Sequence, residues 1–145
     1  MTFQTATLPS EAFNYIRGNV PSYKAQAQNA VTFMQSNTVD TTYVFNVLNA
    51  LNGVITAMNT WKVVVGLDTY ATSMGYPNSM VADCTAIATA AQTAITWVVT
   101  NFPASGGFLQ AYSINADGTR TARQFTSAQT AGWVTALNAF VATVN

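Results

Sequence analysis

The sequence predicts a mainly α fold, an antiparallel bundle of about four main helices with a β-hairpin inserted before the C-terminal helix. Three observations predict it. Apolar residues recur at helical spacing, i, i+3, i+4 and i+7, along most of the 145 residues. Proline and glycine cluster between the periodic stretches and punctuate them. Only the region near residues 107–125 changes to a period of two. No low-complexity linker, charge run or internal repeat divides the chain, so residues 1–145 are expected to form a single helical-bundle domain.

Taken in order, Ser10 to Arg17 reads as a short helix with Ser10 as N-cap, Phe13 and Ile16 inward with Tyr15 as a further candidate, and Gly18 ending it. Pro21, at a first helical position, then starts a second helix to about Gln35, with Ala27, Ala30, Val31 and Met34 on one face. Asp40 is placed to cap a third, in which Val44, Leu48, Leu51, Ile55 and Met58 form the seam. Its other face carries Asn46, Asn49, Asn52, Thr56 and Asn59, poor helix formers, so packing must hold it. Gly53 inside it costs ~1 kcal/mol against Ala and suggests a close neighbour or a bend. Beyond Trp61 the run Val63-Val64-Val65 either continues the helix towards Tyr70 or breaks at Gly66, and Gly75-Tyr76-Pro77-Asn78 forces a turn.

Asn78 or Ser79 caps a fourth helix, Met80 to Asn101, with a seam of Val81, Cys84, Ala88, Ala91, Ile95, Val98 and Phe102. Small residues in mid-seam let a partner helix approach closely. Pro103-Ala-Ser-Gly-Gly ends it. Phe108, Gln110, Tyr112 and Ile114 then alternate with smaller or polar residues, and Thr119 to Phe125 forms a second short run across Asn115-Ala116-Asp117-Gly118. That is a hairpin with an Asp-Gly turn. Two strands alone are marginal in water, so the hairpin must lie on the helices or on another subunit. Thr126-Ser-Ala-Gln129 is a capping box that opens a last helix to about Thr143, with Trp133, Val134, Leu137, Phe140, Val141 and Val144 inward.

Composition excludes several function classes. Five Lys+Arg balance five Asp+Glu, and charged residues make up 7% of the chain against a usual ~25%. Polarity comes instead from 22 Thr and 13 Asn, set among 23 Ala. A chain of zero net charge lacks the phosphate-neutralising surface of a nucleic-acid binder, so no specific nucleic acid is expected. With no His and one Cys, the common zinc sites, the Ser-His and Cys-His pairs and a disulfide scaffold all lack parts, and no cofactor is expected. Cys84 reads as a packing residue. The N-terminus has neither a basic n-region nor an apolar h-region. The 33 uncharged residues between Asp83 and Asp117 invite a membrane reading of Ala82 to Phe102, but Thr85, Thr89, Gln92, Thr93, Thr96 and Thr100 interrupt it. A bundle helix is expected there.

The carboxylates Glu11, Asp40, Asp68, Asp83 and Asp117 fall in five different segments. Glu11 and Asp40 suit helix N-termini and Asp117 suits a turn, so Asp68 and Asp83, flanking the Tyr76-Pro77 turn, are the one pair available for acid/base work. Two solvated acids is the preferred reading, and no enzyme is expected. Thr85, Thr89, Thr93, Thr96 and Thr100 recur at steps of 4, 4, 3 and 4 and form a stripe. Such a Thr/Ala stripe resembles alanine-rich ice-binding helices, although it is one helix long. It reads first as a neutral bundle surface, and equally as an interface face without charges to desolvate. Most of the 17 aromatics suit a core, with Tyr43, Tyr70, Tyr76 and Tyr112 as rim or interface residues. Arg120 and Arg123 on the hairpin either bind a carboxylate of a neighbouring chain or guard a strand edge. Tyr112, Asp117, Arg120, Arg123, Thr89, Thr93 and Thr96 are thus the candidate interface residues.

The Ala/Thr/Asn composition, the small helical domain, the start Met1-Thr-Phe and the Asn115-Ala-Asp-Gly-Thr119 hairpin resemble structural proteins of tailed-bacteriophage virions. Among those the chain is most similar in kind to the helical head-tail connector, or adaptor, proteins that form a ring beneath the portal. The resemblance implies a non-enzymatic subunit in a virion assembled in the host cytoplasm. Its partners would be copies of itself, in a ring or another homo-oligomer, and portal or tail components, with no membrane involved. A small-molecule or surface-binding helical module is the alternative.

Overall fold

A computed structural model describes residues 7–101, 112–114, 116–122 and 124–144. Among them are five helices: α1 (Pro9–Ser36), α2 (Thr41–Trp61), α3 (Leu67–Ser73), α4 (Met80–Asn101) and α5 (Ser127–Thr143). The strands are β1 (Val39–Asp40), β2 (Tyr112–Ile114), β3 (Arg120–Ala122) and β4 (Gln124–Phe125). The protein is mainly helical, with a small antiparallel hairpin before the last helix.

The first two expected helices are one. Leu8, with extended backbone, is the N-cap, Pro9 occupies the first helical position, and Ser10 lies within the helix and caps nothing. Gly18 is exposed with no heavy atom within 4 Å of a would-be Cβ, so nothing there demands a break. Pro21 forfeits the hydrogen bond its own N–H would make to the Arg17 carbonyl, and its ring crowds that carbonyl. Phe13 and Ile16 before it, and Ala27, Ala30, Val31 and Met34 after it, are all buried in the same core. Burial on both sides of the proline outweighs the lost bond.

α2 opens as expected, with the Asp40 carboxylate accepting the Tyr43 N–H at 2.8 Å. Its Asn/Thr face is exposed. Val54 is buried while Ile55 is half-buried, because α2 packs on α4 along one flank and faces α5 along the other, which widens its buried arc. Gly53 has neither a close neighbour nor a contact within 4 Å. The helix ends at Trp61, and Gly66, at φ +84°, takes the left-handed conformation that starts α3. The valine run is therefore a break. Gly75, at φ +86°, makes the next turn.

α4 is sandwiched between α2 and α5. This is why Met80, Ile87 and Ala94 are buried beside Cys84, Ala88, Ala91 and Val98, whereas Val81 and Ile95 are half-buried. No helix among the described residues is long and apolar enough to cross a membrane. A Cβ on Gly132 of α5 would fall 2.4 Å from Cζ2 of Trp97, so the absence of that carbon is what admits the indole between α4 and α5. Trp133, Leu137 and Phe140 complete the core from α5.

The hairpin pairs Tyr112 with Ala122, Ser113 with Thr121 and Ile114 with Arg120. Five residues lie between its paired ends, longer than a two-residue turn, and Gly118 at φ +83° carries the reversal. A second antiparallel pair, Val39 with Phe125 and Asp40 with Gln124, was not legible. Strands of two residues are too short to show alternation. Thr126 and Gln129 form the expected capping box in both directions.

Candidate functional site

The candidate interface residues fall into two groups. Thr85, Thr89, Thr93, Thr96 and Thr100 are all exposed, on the side of α4 opposite its buried seam. Their hydroxyls are partly engaged by their own helix: Thr93 Oγ1 donates to the Thr89 carbonyl at 3.0 Å and Thr85 Oγ1 to the Val81 carbonyl at 3.0 Å. Lys62 Nζ donates to Thr85 Oγ1 at 3.3 Å and Gln92 Nε2 to Thr96 Oγ1 at 3.2 Å. The stripe presents methyls and shared hydroxyls, with no charge of its own.

The second group is the hairpin. Asp117 Oδ1 accepts both the Thr119 N–H at 3.0 Å and the Thr119 hydroxyl at 2.6 Å, and these bonds hold its carboxyl below the ordinary carboxylate value. Asp117 is thus a turn former, with its other oxygen at the exposed tip. Tyr112 and Arg120 take their places in β2 and β3 by backbone. Their side chains, and Arg123 altogether, lie outside the described residues, as do Phe102, Phe108 and Gln110.

Asp68 and Asp83 are each engaged by their own neighbours rather than left to solvent. Asp68 accepts the Ser79 hydroxyl at 2.7 Å and the Val81 N–H at 3.0 Å, which ties α3 to the first turn of α4. The Ser79 bond first, then the Val81 bond, lowers its pKa from 3.8. Ser79 Oγ also accepts the Ala82 N–H at 3.1 Å, so Ser79 caps α4. Asp83 accepts the Tyr76 hydroxyl instead, and burial, followed by that bond, raises the Tyr76 pKa. The two acids share no hydrogen-bond partner. Cys84 is fully buried, and burial followed by the Asp83 charge pushes its thiol up to about 11, which keeps it protonated. Among the described residues no group of three or more His, Cys, Asp or Glu is placed to hold a metal ion.

Two surface features were not visible in the sequence. Leu8, Val63, Val65 and Met74 are exposed, Val65 at 90%. Pro9 lies 3.7 Å from a would-be Cβ on Gly66, so the start of α1 lies beside the connection between α2 and α3 at one end of the bundle. The other feature is a groove of about 260 Å³ between α1 and α2, floored by Leu137 and Phe140 of α5. Alanines 27, 30 and 50 make the gap, and Tyr23 and Tyr43 flank it. Burial raises both phenols, Tyr23 to about 12, so no group lining the groove carries charge near neutral pH. Periodicity could place Ala27 and Ala30 on an inward face, but not the exposed Ala50 beside the α2 seam, and could not say that the two helices would stand apart.

Compared with protein-family models, with curated proteins and with solved structures, the chain matches none.

Proposed function

We propose that the chain is a non-enzymatic structural subunit of a tailed-bacteriophage virion, in the head-tail connector or adaptor ring or a related neck or tail component, acting through protein-protein contacts. The observation that carries the assembly reading is the character of the outer faces. Asn46, Asn49, Asn52, Thr56 and Asn59 on α2 and the five threonines of α4 are exposed and uncharged, and Leu8, Val63 and Val65 add apolar area at one end. Burying such faces against another copy removes few charges from water, which is the main penalty on a polar interface. The virion assignment rests on the compositional likeness described above.

Light scattering over a wide concentration range, alone and with portal or tail proteins added, tests it. Rings, or a mass that rises only with a partner, are expected. A strict monomer under all these conditions refutes the proposal. Within an assembling system, Arg120→Ala, Arg123→Ala and Tyr112→Ala are expected to reduce assembly while leaving the helical circular dichroism unchanged, and normal assembly would remove the hairpin from the interface.

The groove between α1 and α2 favours a second reading, a small-molecule or surface-binding helical module. If binding to a surface such as ice used the α4 stripe, Lys at Thr89, Thr93 and Thr96 would abolish it in a folded monomer.

A further inference from the structure

Ten charged side chains are spread over 145 residues, yet two of opposite sign line one cavity. This cavity, about 240 Å³, lies between α1 and the first turns of α4 and is closed by the end of α5. Arg17 stands on one wall, its guanidinium carbon 5.5 Å from the Phe13 ring centroid and 5.9 Å from that of Tyr76. Cation–π contact with two rings restricts a side chain that would otherwise sweep through solvent. Asp83 stands on the other wall, half-buried, with Oδ2 taken by the Tyr76 hydroxyl.

Arg17 and Asp83 do not pair with each other, and among the described residues neither has an ion-pair partner. Tyr76 is the reason. The guanidinium lies over its ring face and the carboxylate is bound to its oxygen, so the phenol spaces the two charges apart and holds each in place. Asn78 and Thr143 add polar groups to the lining, and Ile16, Val20, Met80, Ile87 and Val144 form its apolar part. A fixed cation, a fixed carboxylate and an apolar wall within one small cavity specify an occupant with three matching parts. The volume falls below the ~300–1,000 Å³ of pockets that take drug-sized ligands, so the occupant is smaller than those. An interior peptide segment carries neither terminal charge.

We propose that this cavity binds a small zwitterion with an apolar arm, the chemistry of a free α-amino acid such as leucine, with its carboxylate on Arg17 and its ammonium on Asp83. Both charges are then met by charge-assisted hydrogen bonds, and the protein takes up no net charge. The proposal is independent of the assembly reading, since the cavity is built within one chain.

The test is an NMR titration of the full chain with L-leucine, 3-methylbutylamine and 4-methylpentanoate, the last two each lacking one charge. Leucine is expected to shift the Tyr76, Met80 and Ile87 amides saturably, and each analogue to bind at least about tenfold more weakly. Arg17→Gln, a change at an exposed position, should bring leucine and 3-methylbutylamine to equal affinity. Absence of saturable shifts with leucine, shifts confined to another part of the molecule, or an analogue that binds as tightly in the wild type would each overturn the proposal. An undiminished preference for leucine in Arg17→Gln would do so too.

Discussion

At the scale of single residues, the closest constraint lies between Gly132 and Trp97. A methyl at position 132 would sit 2.4 Å from the indole, so Gly132→Ala must displace it. Overpacking costs about 1–3 kcal/mol, while the gain in helix propensity returns ~1 kcal/mol. Net destabilisation is expected, together with a shifted Trp97 indole N–H resonance. An unchanged resonance with a raised Tm would show that the indole is not held there. Asp68 supplies a pH dependence. Its carboxyl is held below 3.8 by the Ser79 hydroxyl and the Val81 N–H, so its contribution to stability is full above that value. It is lost as pH falls through the lowered value in the folded state. Asp68→Asn should therefore reduce the loss of stability on acidification, measured by thermal melts across the acid range.

At the scale of elements, caps and short strands hold together helices whose own composition is poor. α2 is rich in Asn and Thr, so its start depends on the Asp40 carboxylate bonded to the Tyr43 N–H. Asp40→Ala should cost about 1 kcal/mol, and Asp40→Asn, which can still accept the bond, should cost less in the same denaturant titration. Asp40 also pairs with Gln124 in the two-residue ladder whose other members are Val39 and Phe125. Phe125 is 3% exposed and joins the α1–α2 connection to the start of α5. Truncation to Ala should cost about 3–5 kcal/mol. A loss near that of a surface substitution would mean that the ladder does not tie those elements together.

At the scale of the whole molecule, neutrality is the governing property. Equal numbers of opposite charges and uncharged outer faces leave little for salt to screen. Association through the Asn and Thr faces should therefore keep its mass between low and high salt in sedimentation runs. A mass that collapses as salt rises would assign the contact to Arg120 and Arg123 instead. Lys at Thr89, Thr93 and Thr96 together should leave the fold intact, because those positions are exposed, while adding three charges that an interface would have to desolvate. Loss of association with an unchanged melting curve is the expected result.

Helices α2, α4 and α5, the hairpin, the Asp40 cap and the Thr126–Gln129 box are legible in the sequence, because each rests on a period or a spacing of a few residues. Proximity was decided only in three dimensions. Local signals at Gly18 and Pro21 read as a helix end and a helix start, and they were overridden because both halves of α1 bury their faces in one core. The spacing places Asp68 and Asp83 on either side of the Tyr76 turn, but their partners decide their roles: Ser79 and Val81 for one, Tyr76 for the other. In the sequence Arg17 stands only as the end of a predicted helix, since nothing near it in the chain marks it for a site. It lines one cavity with Asp83 because α1 and α4 both pack on α5, and contacts between residues so far apart in sequence are chosen by the global burial of apolar faces.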